Sequence, residues 1–355
     1  MPLCRHPRGL ILVLALLVTA CTAAPGTAIA RSAPQSFSPL VKRVLPAVVN
    51  IAVTETISGG EALAELPPEL RDTPLGREFR RRFANRHEQT LGAGSGFIID
   101  PSGLIVTNNH VVGHADKIVV SMTDGKQYPA KVLGSDELTD VALITVSAPG
   151  PLPYVAWGDS RHVEVGDWVL AAGNPFGLGG SVTAGIVSAL GRDLGAGPFD
   201  NFLQLDAPIN PGNSGGPIFN MEGQVVGVST AIVSPSGGSV GIGFATPSEL
   251  VMPIVAQLRG GGQIERGWLG VSVEDSDNGV TVAGVEHGSP AAKAGIRQGD
   301  MILAVNGMRI DSSRGLIRSV AAAVPGKDVS LSIRRQGHDI DVPVTVGRRP
   351  ADGAG

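Results

Sequence analysis

The chain has 355 residues, 43% of them hydrophobic and 17% charged, so it is too long for one ordinary core and too apolar to be disordered in bulk. A formal net charge of -4 argues against a broad basic face, and no nucleic-acid partner is expected. Both cysteines, Cys4 and Cys21, fall near the start, which excludes a disulfide framework, a cysteine metal site and a cysteine nucleophile from the remainder.

Residues 1–30 are predicted to be a signal peptide or an anchor. Arg5 and Arg8 precede an apolar run from Gly9 to Ala20. Three fates stay open: cleavage after Ala28-Ile29-Ala30, lipidation at Cys21 behind Val18-Thr19-Ala20, and an uncleaved anchor. Each implies export to the periplasm or cell envelope.

From Ser38 to about Val251, short apolar runs alternate with Gly, Pro, Asn and Asp. Ala47 to Val53, Ser95 to Ile99, Gly103 to Thr107, Lys117 to Met122, Val141 to Val146, Trp168 to Ala172 and Gln224 to Ser229 read as strands of an all-β sandwich or barrel. A domain over 31–255 is expected, in two halves, about 38–153 and about 154–255, with a seam near Pro149 to Val155. A long insertion between Val53 and Leu91 carries Phe79 and Phe83 four residues apart, a spacing that suits one face of a helical turn. Ser248 to Leu258 has a helical pattern with Leu250, Ile254 and Leu258 on one face. A linker over 256–266 contains Gly260-Gly261-Gly262, and a smaller α+β domain follows over 267–348 before a short tail, 349–355. In it, strands are predicted near Val271, Val280, Ile302, Val329 and Ile340. One helix is predicted from Ser313 to Ala323, capped by Asp311 or Ser312 and stopped by Pro325-Gly326.

The chemistry centres on Gly212-Asn213-Ser214-Gly215-Gly216, a G-x-S-x-G pattern that is weak alone. An α/β-hydrolase would put a helix after the serine and its Asp and His downstream. Here Pro217 comes early, Gln224 to Ser229 is strand-like, and the downstream His287 and His338 lie in the small domain. Upstream, His110 and Asp140 stand at strand ends, and the order His110, Asp140, Ser214 fits the chymotrypsin-like barrel. Ser214 is a weak nucleophile unless a base takes its proton. A histidine suits that role at neutral pH, and an aspartate would fix the tautomer of the ring. The backbone N–H groups of the serine loop, Gly212, Asn213 and Ser214, are the candidate oxyanion hole. Alone, each residue suits a turn or a strand end equally well; the order of the three carries the reading.

Thr107-Asn108-Asn109-His110-Val111-Val112, Thr139-Asp140-Val141-Ala142-Leu143-Ile144 and Gly212-Asn213-Ser214-Gly215-Gly216 resemble the three triad blocks of the HtrA/Deg family. Gln204 to Pro211 and Gly241 to Pro247 are similar to the same family, and the resemblance runs from Ser38 to Val346. Gly267-Trp268-Leu269-Gly270-Val271, Ser289-Pro290-Ala291 and Gly299-Asp300-Met301-Ile302 resemble its PDZ domain.

The resemblance implies a chymotrypsin-like double barrel followed by a PDZ domain. It implies a serine endopeptidase that cleaves unfolded or misfolded proteins through an acyl-enzyme, without metal or cofactor. It further implies that Trp268, Leu269, Gly270 and Val271 bind hydrophobic C-terminal peptides, that Arg192 belongs to a regulatory loop, and that the chain forms a homotrimer with Phe37 and its neighbours near the contact. The stretch Pro208-Ile209-Asn210 lacks the acid a trypsin-like pocket needs, so Ile209 is expected to line an S1 pocket for small aliphatic residues. Asp206 is assigned to turn stabilisation. The competing reading is an envelope chaperone or PDZ binding protein with little proteolytic activity.

Overall fold

β-Branched residues at alternate positions drive the first half of the chain into strands, since their stiff side chains pack well on a pleated surface. The computed structural model describes residues 34–58, 87–175, 179–195, 197–235, 237–261, 264–276 and 279–348. The expectations for residues 1–30, for Phe79 and Phe83 and for the tail lie outside the described residues.

After a short helix, α1 (Ser38–Val44), come β1 (Val48–Ser58), β2 (His87–Asp100), β3 (Leu104–Thr107), β4 (Lys117–Ser121), β5 (Gln127–Asp136) and β6 (Val141–Val146). They close in the order β1-β2-β3-β6-β5-β4, so no edge is left unpaired. Ile51, Ile98, Ile105, Val120 and Ile144 fill the interior. A short helix, α2 (Asn109–Val112), follows β3 directly. The β1–β2 ladder runs further than the sequence suggests: Thr54 pairs with Leu91 and Ser58 with His87, so the insertion shrinks to the segment beyond those ends.

The second barrel contains β7 (Trp168–Gly173), β8 (Ser181–Arg192), β9 (Phe202–Leu205), β10 (Pro217–Phe219), β11 (Val225–Ile232) and β12 (Gly243–Pro247). It closes as β10-β11-β12-β9-β8-β7 around Val169, Val187, Leu205, Ile218 and Val226. The crossing between barrels is pinned on both sides. Val155 N–H donates to the Ile98 carbonyl at 3.0 Å, and Val225 N–H donates to the Ala156 carbonyl at 2.9 Å.

Helix α3 (Ser248–Arg259) leads out of the second barrel and returns to the first, where Leu258 lies so close to Gly134 that a Cβ there would come within 2.8 Å of Leu258 Cδ2. Its buried face is Val251, Ile254, Val255 and Leu258; Leu250, expected on that face, is only half-buried. The helix reaches into the expected linker, and the end of that linker is fixed: buried Arg266 pairs with buried Asp136 of β5 and lies over the Phe199 ring, 4.6 Å from its centroid.

The last domain holds a sheet ordered β14 (Val271–Ser276), β15 (Gly279–Val285), β16 (Met301–Val305), β18 (Asp328–Arg335), β19 (His338–Thr345), with β17 (Met308–Arg309) paired to β16. A second, two-stranded sheet joins β13 (Gly267–Trp268) to β20 (Gly347–Arg348). Two helices complete it, α4 (Pro290–Lys293) and α5 (Ser313–Ala321). Ser312, not Asp311, caps α5 by accepting from the Gly315 N–H at 3.1 Å.

Candidate active site

His110 sits in α2, just past the end of β3, and Asp140 occupies the turn before β6. The ladder between β3 and β6 places Thr107 opposite Ala142 and so brings the two strand ends together. Asp140 has φ +54°, a left-handed conformation that costs a non-glycine residue about 1–2 kcal/mol. It is held there by its surroundings. The Asp140 carbonyl accepts from Asn108 Nδ2 at 2.8 Å and from the Asn109 N–H at 3.1 Å. The carboxylate uses both oxygens on His110: Oδ1 accepts the backbone N–H at 2.8 Å and Oδ2 lies 2.7 Å from ring Nδ1. With Nδ1 turned to the acid, Nε2 is the nitrogen left for chemistry.

Ser214 lies between β9 and β10, in a loop turned by Gly212 (φ +93°) and Gly215 (φ +82°). The loop is folded on its own backbone. Asn213 N–H donates to the Asn210 carbonyl at 3.0 Å, and Gly216 N–H donates to the Asn213 carbonyl at 2.9 Å. This corrects one expectation: Asn213 has its N–H engaged and offers none to an oxyanion. The N–H groups of Gly212 and Ser214 find no acceptor among the described residues. No hydrogen bond joins Ser214 Oγ to the His110 ring; such contacts are often loose before substrate binds.

Ile209 is buried in the second-barrel core and faces Gly243, where a Cβ would come within 2.7 Å of Ile209 Cδ1. Asp206 Oδ1 accepts the Ile186 N–H at 2.6 Å, a tie to strand β8 rather than to its own turn. Arg192 is exposed, and its Nε donates to Gln204 Oε1 at 2.9 Å; its bonded partner is on β9, not on the serine loop. In the last domain, β14 is an edge strand, and a cavity of about 430 Å³ lies between it and α5, lined by Leu269, Gly270, Val271, Val273, Leu316 and Val320 among others. The N–H groups of Leu269 and Gly270 at its end find no acceptor among the described residues.

Residues 94–228 match the family described as "Trypsin-like peptidase domain", and residues 267–346 match the one described as "PDZ domain". Over 360 residues the chain is 43% identical to the probable periplasmic serine endoprotease DegP-like of Brucella suis biovar 1 (strain 1330), covering 90% of this chain and 70% of that protein. The protein of the same description from Halomonas elongata is 40% identical over 366 residues, covering 96% and 76%. Among solved structures, the HtrA-type protease AlgW with decapeptide is similar at TM-score 0.72 and 38% identity, covering 89% of this chain and 99% of that one. The chain belongs to the HtrA family. It is a serine-type endopeptidase with a trypsin-like domain followed by a PDZ domain.

In this HtrA protease a cavity of about 580 Å³ opens beside His110 and Asp140, walled by Leu138, Leu194, Phe199 and Leu250. Phe199 and Leu194 come from the loop between β8 and β9, whose Pro198 also lines the PDZ groove. The Asp200 carbonyl of the same loop accepts from Arg318 of α5 at 2.8 Å. Sequence reasoning singled out Arg192 at the start of this loop but missed the loop's contacts, as it missed the Arg266–Asp136 pair, because the partners are far apart in the chain and of ordinary composition. It also missed Ser95 of β2, whose Oγ reaches the serine loop. The Gly94-Ser95-Gly96 pattern was the available signal, since glycines flanking a strand residue mark close backbone approach.

Proposed function

We propose that Ser214 is the nucleophile, His110 the general base and acid, and Asp140 the group that orients His110. Ser214 Oγ attacks the scissile carbonyl carbon while His110 Nε2 takes its proton, and the oxyanion is received by the N–H groups of Gly212 and Ser214. Collapse breaks the C–N bond, and His110 returns the proton to the leaving amine. Water then attacks the acyl-enzyme with His110 again as base, restoring Ser214. The observation that carries the reading is the two-oxygen grip of Asp140 on His110. It leaves Nε2 for a serine loop with two uncommitted N–H groups.

Ile209 and Gly243 form the base of an S1 pocket suited to small aliphatic side chains. The PDZ groove takes hydrophobic C-terminal peptides, which add as a strand beside β14 and place the carboxylate at the Leu269 and Gly270 N–H groups. Substrates are unfolded proteins, the assembly is a homotrimer, and Arg192 belongs to a loop that responds to activation. The chain works in the periplasm, in keeping with relatives described as periplasmic, after export directed by residues 1–30.

Casein hydrolysis by the chain from Ser32 onward, wild type against Ser214→Ala, with and without a hydrophobic C-terminal peptide, tests the reading. Cleavage that needs Ser214 and rises with peptide is expected. Equal cleavage by both proteins would remove Ser214 from the mechanism. Peptide-independent cleavage would remove the PDZ groove from regulation.

A further inference from the structure

Ser95 lies on β2 of the first barrel, fully buried, between Gly94 and Gly96. The glycines allow the strand to approach closely. A Cβ on Gly94 would come within 2.7 Å of Val111 and 3.2 Å of the Ser214 carbonyl oxygen. Every polar group of Ser95 is engaged. Its N–H donates to the Ser214 carbonyl at 2.8 Å, and its carbonyl accepts from Thr107 Oγ1 at 2.8 Å. Its Oγ donates to the Gly212 carbonyl at 2.6 Å and accepts the Asn174 N–H at 2.9 Å. One hydroxyl therefore joins a first-barrel strand to two second-barrel segments, the end of β7 and the serine loop.

The loop adds one tie of its own to that peptide unit, the Asn213 N–H donated to the Asn210 carbonyl at 3.0 Å. Its own buried side-chain oxygen, Asn213 Oδ1, has no partner among the described residues, and neither has Ser229 Oγ on the adjacent β11. Gly212, with φ +93° and no side chain, depends on its backbone contacts for its position. Its N–H lies in the preceding peptide plane, hinged to the held unit at the Gly212 Cα, so a shift of that unit moves the Cα and takes the N–H off the oxyanion.

We propose that Ser95 is a positioning residue for hydrolysis: its hydroxyl holds the Gly212–Asn213 peptide unit so that the Gly212 N–H stays aimed at the oxyanion. The proposal rests on the triad and oxyanion-hole reading above. Ser95 touches no substrate and acts only through the loop. Its effect is therefore on the transition state, where the oxyanion exists, and not on substrate binding.

The test compares wild type, Ser95→Ala, Ser95→Cys and Ser214→Ala in the full chain, with saturating activating peptide. Readouts are kcat and KM on a peptide anilide, affinity for a peptide boronate that mimics the tetrahedral intermediate, and the melting temperature. Cysteine fills the space but is a poor donor. Both Ser95 variants are expected to lower kcat roughly 10- to 100-fold and to weaken the boronate by a similar factor. KM should stay within about twofold. Wild-type kcat in either folded variant would overturn the proposal, as would a kcat loss without loss of boronate affinity. Failure of both variants to fold would overturn it too, since the hydroxyl would then be holding the barrels rather than the loop. Activity persisting in Ser214→Ala would sink the triad reading itself, whatever the Ser95 variants do.

Discussion

The two halves of the active site are held by different means. The His110–Asp140 half is built within the first barrel: side chain meets side chain at 2.7 Å, and a backbone N–H and an asparagine amide fix the acid as well. The Ser214 half is a glycine-turned loop of the second barrel, tied to the first by carbonyl contacts to the Ser95 N–H and hydroxyl. Ser214 Oγ itself is left without a hydrogen bond to the ring. The difference teaches that the proposed base is preformed, whereas the proposed nucleophile and oxyanion hole depend on how well the barrels seat against each other. Loop contacts should therefore control kcat.

The sharpest way to probe the preformed half is Asp140→Asn. An amide in that place stabilises the wrong tautomer of His110, and kcat should fall roughly 10⁴-fold with the fold intact. A loss of tenfold or less in steady-state hydrolysis would mean the grip on His110 is not what makes it a base.

The loop half is broken from the other side by Gly215→Ala. Gly215 has φ +82°, and a Cβ would stand 2.3 Å from both the Ser95 carbonyl oxygen and Thr107 Oγ1. The barrels must part to admit it. A kcat loss of roughly 10²-fold is expected, together with a lower melting temperature. Unchanged kinetics would show that the loop tolerates displacement and that the comparison is overdrawn.

A third change acts far from the loop. Arg266 and Asp136 are both buried, and Asp136 also accepts from the Thr139 N–H and hydroxyl. Arg266→Ala strands a carboxylate in the interior and should destabilise the chain by roughly 3–5 kcal/mol in urea unfolding. A loss below 1 kcal/mol would mean the linker end is not anchored.

The smallest effect is confined to acid. Asp300 of the PDZ domain is buried, which pushes its carboxyl upward. The Arg335 guanidinium, at 2.7 and 2.6 Å, and the Arg297 N–H outweigh this and hold it below the usual carboxylate range. A depressed folded value gives stability that is present above the ordinary aspartate value, near about 3.9, and lost as pH falls through the folded one. Wild type should lose melting temperature more steeply than Asp300→Asn as pH falls below about 4. Parallel curves would remove Asp300 from the acid limb.

Much of this was legible in the sequence because His110 and Asp140 are polar residues set against apolar runs, and Ser214 sits in a glycine-rich loop just ahead of one. Such runs gave an all-β sandwich or barrel in two halves and a small α+β domain, while the double barrel and the PDZ domain came from the family resemblance. Strands such as β5 were not legible, because that strand shows mostly exposed positions and carries little apolar pattern. Leu250 shares a helical face with Ile254 and Leu258, as its spacing implies, but it borders the cavity beside His110 and is only half-buried. Asn213 looked like an oxyanion donor because nothing local reveals that its N–H turns back to Asn210. Ser95 was marked only by its flanking glycines, since its hydroxyl meets a partner 117 residues away and only the closed barrels bring the two together.

The central claim is that Ser214 is made nucleophilic by a histidine that the first barrel holds ready. Labelling with a fluorophosphonate, followed by peptide mapping, tests it most directly. The adduct is expected on Ser214 alone in wild type, and its rate of formation should collapse in His110→Ala while Ser95→Ala slows it far less. An adduct on any other serine, or labelling of Ser214 at an undiminished rate in His110→Ala, would contradict the account.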